Sequence, residues 1–184
     1  MTTATLPLLT AAEFTRLPDK GTRTELIRGR VVNVNVPAPR HGQICSKIDR
    51  YVGNHADQCQ LGHVVVNDSA VVTEHGPDTV RGADVAFYSY KRIPPGPLPA
   101  GYLDVVPELV FEVRSPTDRW SRLLAKVSEY LDAGVTAVCV LDQVREALQI
   151  YRIDELPVTL QGDDELYLPD ILGDFRIPVQ RFFE

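Results

Sequence analysis

One stretch of ten residues decides the fold of this chain: Pro107-Glu108-Leu109-Val110-Phe111-Glu112-Val113-Arg114-Ser115-Pro116. Its apolar, β-branched centre predicts a buried strand, and its Ser-Pro ending predicts the start of a helix. Glu112 lies inside the strand, where an unpaired carboxylate is costly to bury. We therefore expect a metal ion, a cation or several hydrogen-bond donors to contact Glu112.

Two other residues are predicted to join Glu112. Asp84 lies in a second strand-like stretch, Ala83–Tyr88, and Lys126 lies on the helix that follows the Ser-Pro dipeptide. Lys126 falls beside the apolar stripe of that helix, so its stem can lie along the sheet while its ammonium reaches the carboxylates. The alternative is that Lys126 only forms the polar border of the helix. An aspartate, a glutamate and a lysine are the minimum set for metal-assisted phosphodiester hydrolysis.

Strand alternation suggests how these groups meet a metal. Glu112 and Arg114 project from one face, whereas Val113 offers only its backbone on that side. Asp84, Glu112 and the Val113 carbonyl would supply hard oxygen ligands for Mg²⁺, or for Mn²⁺ in its place, with waters completing the octahedron. Hydrolysis also needs a cation that stabilises the developing charge, and Lys126 is the candidate.

Glu25 and His41 are further candidates, each with two interpretations. Glu25, at the start of a predicted strand, is either a third metal ligand or a charge at a strand edge. His41 either contacts the substrate or caps the helix that begins near it. His55, His63 and His75 show no ligand spacing, so we assign them no chemistry.

Composition limits the class of protein. The 184 residues are 44% hydrophobic and 24% charged, which fits one globular domain, residues 1–184, with a core that needs no disulfides. The three cysteines have no paired spacing and are predicted to be small core residues. The stretch Met1–Pro7 lacks a basic start and a long apolar segment, and no later apolar run approaches the ~20 residues of a membrane span. We therefore expect a cytoplasmic protein with no membrane segment.

The charge balance bears on nucleic-acid binding. A net charge of −6 argues against a broad phosphate-binding surface, since that affinity comes mainly from lysine and arginine. Carboxylates gathered at a metal site would lower the charge, however, and a local basic patch can still face a phosphate chain. The candidate patch comprises Arg114, Arg119, Arg122 and Lys126; its alternative is a solvated helix face. The sequence lacks Gly-x-Ser-x-Gly, GxxxxGK[ST], HExxH and GxGxxG patterns, which lowers the serine-hydrolase, nucleotide-motor and dehydrogenase alternatives.

The order of predicted elements indicates an α/β fold, a mixed β-sheet flanked by helices. A capping box at Thr10–Glu13 predicts a short helix, and two strands meeting at Arg28-Gly29 predict an N-terminal β-hairpin. Apolar spacing predicts a long helix from His41 to about Gln58. Further strands are predicted at 64–66, 70–72, around 84, at 109–113, 135–141 and 147–153, with a helix from 115 to 134. Turns are predicted at 19–21 and 75–78, and a proline-rich loop at 94–101.

Several segments, taken in order, are similar to the motifs of one family. Ala83-Asp84-Val85 resembles its Pro-Asp-Val motif, the decisive strand resembles its Pro-x-Leu-Val-x-Glu-Val-Leu-Ser-Pro, and Lys126–Val135 resembles its Lys-x-x-x-Tyr-x-x-x-Gly-Val helix. Three more segments resemble its opening strand pair, its first helix start and its ending: Glu25–Val32, Pro39–Ile44 and Leu168–Leu172. The family is that of the Uma2-like (DUF820) endonucleases, in the PD-(D/E)XK nuclease superfamily.

The resemblance implies a restriction-endonuclease-like fold with a helix-strand-strand-strand-helix-strand core. It implies Mg²⁺-dependent hydrolysis of DNA, with Asp84 and Glu112 holding the metal. Lys126 would replace a lysine that has moved from the strand to the helix, and Glu25 would lie nearby.

Two positions depart from the family pattern. Ala83 stands where the family has proline. Arg114 stands where it has leucine and where the wider superfamily places its lysine, which makes Arg114 a candidate substrate contact. A second hypothesis, favoured by the acidic net charge, is a noncatalytic, dimeric binding or assembly module that keeps the fold. A homodimer is also our expectation for the protein.

Overall fold

The computed structural model describes residues 7–18 and 21–184, so most of the predicted turn at 19–21 lies outside the described residues. The helices are α1 (Ala11–Phe14), α2 (Pro39–Ile48), α3 (Asn54–Gln58), α4 (Trp120–Asp132) and α5 (Pro169–Leu172), with a π-helical segment, Asp49–Gly53, between α2 and α3 and a 3-10 turn at Val179–Phe182. The strands are β1 (Thr24–Ile27), β2 (Arg30–Asn33), β3 (Gly62–Glu74), β4 (Thr79–Ser89), β5 (Leu109–Arg114), β6 (Ala137–Asp142), β7 (Ala147–Tyr151), β8 (Val158–Gln161), β9 (Glu165–Tyr167) and β10 (Arg176–Pro178).

Eight strands form one mixed sheet in the order β2-β1-β4-β5-β6-β7-β8, with β3 paired to β4 outside this path. Neighbouring strands are antiparallel except β5 and β6, which are parallel. Strands β9 and β10 pair separately. The sheet, the β1–β2 hairpin and the order α2, β3, β4, β5, α4, β6 confirm the predicted fold class. The single-domain organisation stays a prediction.

Helices cover both faces of the sheet. On one face, Val113 of β5 shares a buried cluster with Ile44 of α2. On the other face, Val110 of β5 shares a cluster with Val127 of α4. Because side chains alternate along a strand, Glu112 lies on the same side as Val110 and faces α4.

Strand β4 has a gap in its backbone pairing along one edge. Strand β3 pairs with both Val80 and Val85 of β4, so β1 and β5 must share the opposite edge. There β1 pairs through Leu26 with Val80, and β5 pairs only with Val85–Phe87. Residues 81–84 lie between these two partners. Their backbone groups on this edge are therefore available to side chains.

A β-bulge lies across from this gap. Asn67 and Asp68 of β3, with φ of 70° and 53°, together oppose the single residue Asp84 of β4. A bulge of this kind bends the strand and changes the direction of the side chains around it. Gly82 lies against the bulge, since a Cβ at this position would come 2.8 Å from the Cβ of Asp68. The bulge and the glycine thus shape the backbone that carries Asp84.

The predicted start of the second long helix is wrong. Helix α4 begins at Trp120 rather than at Ser115-Pro116. The Ser115 N–H donates instead to Asp118 Oδ2 at 2.8 Å, and the Asp118 N–H donates to the Ser115 carbonyl at 3.0 Å. These bonds close a turn, so the capping residues of the sequence pattern are used in a loop.

Other local predictions also change. The two strands predicted at 64–66 and 70–72 are one bulged strand, β3. The predicted long helix contains a π-helical segment. Cys139 is buried as expected, but Cys45 is half-buried and Cys59 is exposed, so the core assignment of Cys59 is wrong. Within the described parts of the chain, no helix has the length and apolar character needed to cross a membrane.

Candidate metal centre

Lys126 links acidic groups from different strands. Its Nζ, carried on α4, lies 2.9 Å from Glu112 Oε2 of β5 and 3.4 Å from Glu25 Oε1 of β1. Nζ also donates to the Gly82 carbonyl at 2.8 Å, in the gap along β4. Lys126 is therefore not merely a polar border of its helix. Although burial disfavours its charge, the neighbouring carboxylates raise the pKa of Lys126, which keeps the ammonium protonated.

Glu112 is held in a buried position by two donors. Only 5% of the residue is exposed, Lys126 contacts Oε2, and the Tyr130 hydroxyl donates to Oε1 at 3.0 Å. Burial raises the pKa of Glu112 to about 7, and the nearby charge of Asp84 adds to the rise while Lys126 opposes it. A carboxyl in this state takes up a proton readily unless another cation approaches it.

Asp84 lies where β4 and β5 separate. The β4–β5 pairing ends at Val85 and Phe111, so beyond it the Val113 N–H donates to Asp84 Oδ2 at 2.7 Å instead of to a strand backbone. His41 Nε2 lies 3.2 Å from the same oxygen. Oδ1 accepts no hydrogen bond from any residue that the structure describes. Burial alone would raise the pKa of Asp84, but the His41 contact and the Lys126 charge hold it below its ordinary value.

Glu25 is bound from several sides. Arg81 Nη1 donates to Glu25 Oε2 at 2.8 Å, and the Gly82 N–H donates to Oε1 at 3.1 Å. Arg81 also forms a two-point contact with Glu129 of α4, at 2.6 and 2.8 Å. Burial would raise the pKa of Glu25, but the charges of Lys126 and Arg81 hold it below its usual range. The interpretation of Glu25 as a strand-edge charge is wrong, because only 9% of the residue is exposed.

His41 does not cap its helix. It is the third residue of α2, whose N-cap is Ala38 and which has no side-chain cap. Its Nε2 contacts Asp84, and its Nδ1 lies 3.5 Å from Cys45 Sγ. Burial opposes protonation, yet Asp84 and Glu112 raise the pKa of His41 above its ordinary value. The helix-cap interpretation is therefore wrong.

Arg114 makes its contacts away from this cluster. Nη1 lies 3.3 Å from Asp142 Oδ1, Nη2 donates to the Asp118 carbonyl at 3.2 Å, and the guanidinium stacks on Trp120. Its Nε is buried without a hydrogen-bond partner among the described residues. The structure thus brings together Asp84, Glu112, Lys126, Glu25 and His41, with Val113 contributing its N–H, and leaves Arg114 at the neighbouring end of β5.

The residues present suit a divalent cation. Four carboxylates, Asp84, Glu112, Glu25 and Glu129, surround two permanent cations, Lys126 and Arg81. Full ionisation therefore leaves surplus negative charge at the cluster. Burial is the main cause of the raised pKa of Glu112, and the charge of Asp84 adds to it. Oxygen atoms of Asp84 and Glu112 are the ligand type that hard divalent ions prefer.

A cavity borders the Glu25 side of the cluster. It encloses about 710 Å³, and Glu25, Arg81 and Gly82 form part of its wall. Phe14 and Tyr102 also line it. Glu25 is thus the carboxylate of the cluster that lines this open space, whose wall combines aromatic and charged groups.

Sequence reasoning missed Glu129, which binds Arg81, and three further members of the cluster. Arg81 interrupts an otherwise apolar buried strand three residues before Asp84, which is the pattern of a buried ion pair. Tyr130 follows Lys126 by one helical turn, a spacing that places both side chains on one face, but the sequence pattern predicts Tyr130 only as part of the apolar stripe. Cys45 follows His41 at the same spacing, which again indicates a shared face.

The geometry defines a restriction-endonuclease-like fold that carries an acidic cluster and a lysine. Comparison with known proteins agrees: residues 11–180 match the model of the Uma2 family, described as "Putative restriction endonuclease". The chain belongs to this family, which confirms the resemblance stated from its sequence.

A solved structure has the same fold. It is described as "a putative nuclease belonging to DUF820" from Anabaena variabilis, and it superposes with a TM-score of 0.82 at 17% sequence identity. The match covers 95% of this chain and 97% of that one. At this identity the likeness shows the fold alone. No protein with curated annotation matches this chain.

Proposed function

We propose that this protein is an Mg²⁺-dependent endonuclease that hydrolyses DNA phosphodiester bonds. The observation that carries the proposal is the buried pair of acids, Asp84 and Glu112: the Lys126 ammonium lies 2.9 Å from Glu112 and acts on Asp84 through its charge. Membership of a family described as restriction endonucleases supports nucleic acid as the substrate.

In this proposal Asp84 and Glu112 hold the metal, and the Val113 carbonyl is a third oxygen ligand. When bound, Mg²⁺ supplies a Lewis acid for the scissile phosphate and lowers the pKa of the attacking water. The Val113 N–H fixes the direction of the Asp84 carboxylate through its 2.7 Å bond to Oδ2. The Tyr130 hydroxyl does the same for Glu112.

Lys126 is the group that stabilises charge in the transition state. Its Nζ is already positioned by three oxygen acceptors, so little reorganisation is needed when negative charge develops on the phosphate. Glu25, itself held by Arg81, keeps the ammonium charged and directed to the centre. Glu25 thus acts beside the metal rather than on the substrate.

DNA would approach along the start of α4. Arg119 and Arg122 are exposed there, and Arg114 lies at the end of β5 beside Trp120. Phosphate contacts from these arginines would position the strand without reading its sequence. His41, next to Asp84, is a second candidate substrate contact.

Three finer points stay predictions. They are Mg²⁺ as the physiological ion, with Mn²⁺ as a substitute, a cytoplasmic location, and a homodimeric state.

Nicking of supercoiled plasmid DNA tests the proposal. We expect cleavage by the wild type that requires Mg²⁺ or Mn²⁺ and stops on chelation. Asp84→Asn and Glu112→Gln should abolish it, whereas Asp104→Asn, which changes an exposed carboxylate, should not. Absence of metal-stimulated cleavage in the wild type, together with a stable oligomer by light scattering, would instead support the noncatalytic assembly module.

A further inference from the structure

Two side chains of α2 extend the acidic cluster with softer ligand atoms. His41 and Cys45 are one helical turn apart, so they share a face of the helix, and His41 Nδ1 lies 3.5 Å from Cys45 Sγ. His41 Nε2 lies 3.2 Å from Asp84 Oδ2. One potential ligand atom from each of His41, Cys45 and Asp84 lies within 4.8 Å of the other two.

We infer that His41, Cys45 and Asp84 form a binding site for a thiophilic divalent cation of the Zn²⁺ or Co²⁺ type. Imidazole, thiolate and carboxylate are the ligands that Zn²⁺ takes, whereas Mg²⁺ avoids the first two. With metal–ligand lengths of about 2.0–2.3 Å, tetrahedral ligand atoms lie roughly 3.3–3.7 Å apart. One nitrogen of the His41 ring binds the ion, whereas its contacts with Cys45 and Asp84 are made by different ring nitrogens. The three ligand atoms, which lie within 4.8 Å of one another, therefore move closer by side-chain rotation to reach this spacing.

Binding releases the proton of the Cys45 thiol and, where Asp84 and Glu112 hold His41 in its protonated form, a proton of the imidazolium. Burial, with the charges of Asp84 and Glu112, raises the pKa of the Cys45 thiol to about 12, so the free protein carries the S–H form. Coordination forms a metal–sulfur bond and releases the thiol proton to solvent. Nothing is oxidised or reduced.

Asp84 would belong to both metal sites. A Zn²⁺ ion held by His41, Cys45 and Asp84 therefore excludes Mg²⁺ and inhibits the enzyme. This inhibitory consequence rests on the proposed function, but the binding of the thiophilic ion does not.

The chain contains a matched internal control. His55 of α3 and Cys59, the residue after the end of this helix, repeat the same spacing, with Nδ1 3.8 Å from Sγ. His55 Nε2, however, lies 2.9 Å from the Leu172 carbonyl, and no carboxylate of residues 7–18 or 21–184 completes a metal-binding group with this pair. A general affinity of His-Cys pairs for metal would therefore appear at both places.

Titration with Co²⁺, without DNA or Mg²⁺, tests the inference directly. Ligation by a thiolate gives cobalt an intense near-ultraviolet charge-transfer band, and we expect one equivalent to saturate it in the wild-type protein. Cys45→Ser should remove the band, and His41→Gln should weaken Co²⁺ binding at least tenfold. Cys59→Ser should leave the titration unchanged. A wild-type protein without the band, or a band that is lost in Cys59→Ser and kept in Cys45→Ser, would overturn the inference.

Two further measurements separate the possible failures. Circular dichroism and thermal melting identify a variant that has not folded, and proton release on Co²⁺ addition can be followed in the wild type alone. If the protein cleaves DNA, Zn²⁺ should inhibit the wild type at least tenfold more strongly than Cys45→Ser, each relative to its own activity. If it does not cleave DNA, the cobalt titration still decides the site.

Discussion

Lys126 Nζ lies 2.9 Å from Glu112 Oε2, although the two residues come from a helix and from the strand that precedes it. Nζ also lies near Glu25 of the N-terminal hairpin and donates a hydrogen bond to the Gly82 carbonyl. A single ammonium group thus contacts β1, β4 and β5 at the point where the pairing along β4 is interrupted.

Replacing Lys126 should reduce DNA cleavage more than replacing any exposed lysine does. Lys126→Met removes the charge that stabilises the transition state, so we expect a loss of roughly 10²–10³ in cleavage rate. It also leaves Glu112 and Glu25 buried without this partner, which should lower the melting temperature. Plasmid nicking and thermal melting measure both effects. Lys91→Met, at an exposed position, is the control, and full cleavage by a folded Lys126→Met protein would contradict the role of Lys126.

Removing the Tyr130 hydroxyl should weaken metal binding through Glu112. Tyr130→Phe deletes the donor to Glu112 Oε1, and because that hydrogen bond lowers the pKa of Glu112, the pKa should rise further above 7. At neutral pH, Mg²⁺ affinity should fall about tenfold. Isothermal titration calorimetry measures this. Tyr151→Phe, which removes a hydroxyl bonded to Gln149 instead, should bind Mg²⁺ as the wild type does. Equal Mg²⁺ affinities in all three proteins would show that the contact between Tyr130 and Glu112 does not determine metal binding.

Metal binding should strengthen as the pH rises through 7. The pKa of Glu112 in the folded protein, about 7, exceeds its ordinary value of 4.5, so folding favours the protonated form. The stabilisation from this group is complete below pH 4.5 and is lost as the pH rises through 7. Because a metal must displace the proton, Mg²⁺ affinity should fall about tenfold for each pH unit below that pKa.

Calorimetry across this pH range checks the slope. Glu112→Gln has no carboxyl to titrate at this position, so its weak Mg²⁺ affinity should not change in this way with pH. The part of the pH dependence of the melting temperature that comes from Glu112 should also be absent. An unchanged slope in Glu112→Gln would assign the titration to another group.

A methyl group at position 82 should disturb the metal centre from the side of β4 that pairs with β3. Gly82→Ala places a Cβ 2.8 Å from that of Asp68, and the bulge must shift to accept it. We expect a loss of about 1–3 kcal/mol in the free energy of unfolding, together with weaker Mg²⁺ binding. Gly42→Ala is the control, because a Cβ there meets nothing within 4 Å and lies in a helix. A destabilisation no larger than that of Gly42→Ala would contradict the packing described for Gly82.

The contact of Glu112 with Lys126 was predictable from the sequence because each lies in a regular element, whereas the position of Asp84 also depends on the pairing of β4 with β5. Alternation along β5 gives the face of Glu112, and the helical period gives the side of Lys126. Their meeting then needs only that α4 packs on the strand before it. Local patterns of this kind are fully contained in short windows of the chain.

The remainder depended on distant pairing. Arg81 reaches Glu25 because β1 pairs with β4 through Leu26 and Val80. These two segments lie far apart in the sequence. No short window contains this information. The start of α4 was predicted wrongly for a different, local reason: the Asp118 carboxylate satisfies the Ser115 N–H in a turn. Ser-Pro followed by an acidic residue is compatible with either structure.

The most direct test is the anomalous scattering of Mn²⁺ in a crystal of the wild-type protein. We predict a peak within bonding distance of carboxylate oxygens of both Asp84 and Glu112, on the side from which Lys126 approaches, and no such peak in Asp84→Asn. Manganese bound elsewhere, or a wild-type crystal saturated with Mn²⁺ that shows no peak between these two acids, would contradict the metal centre.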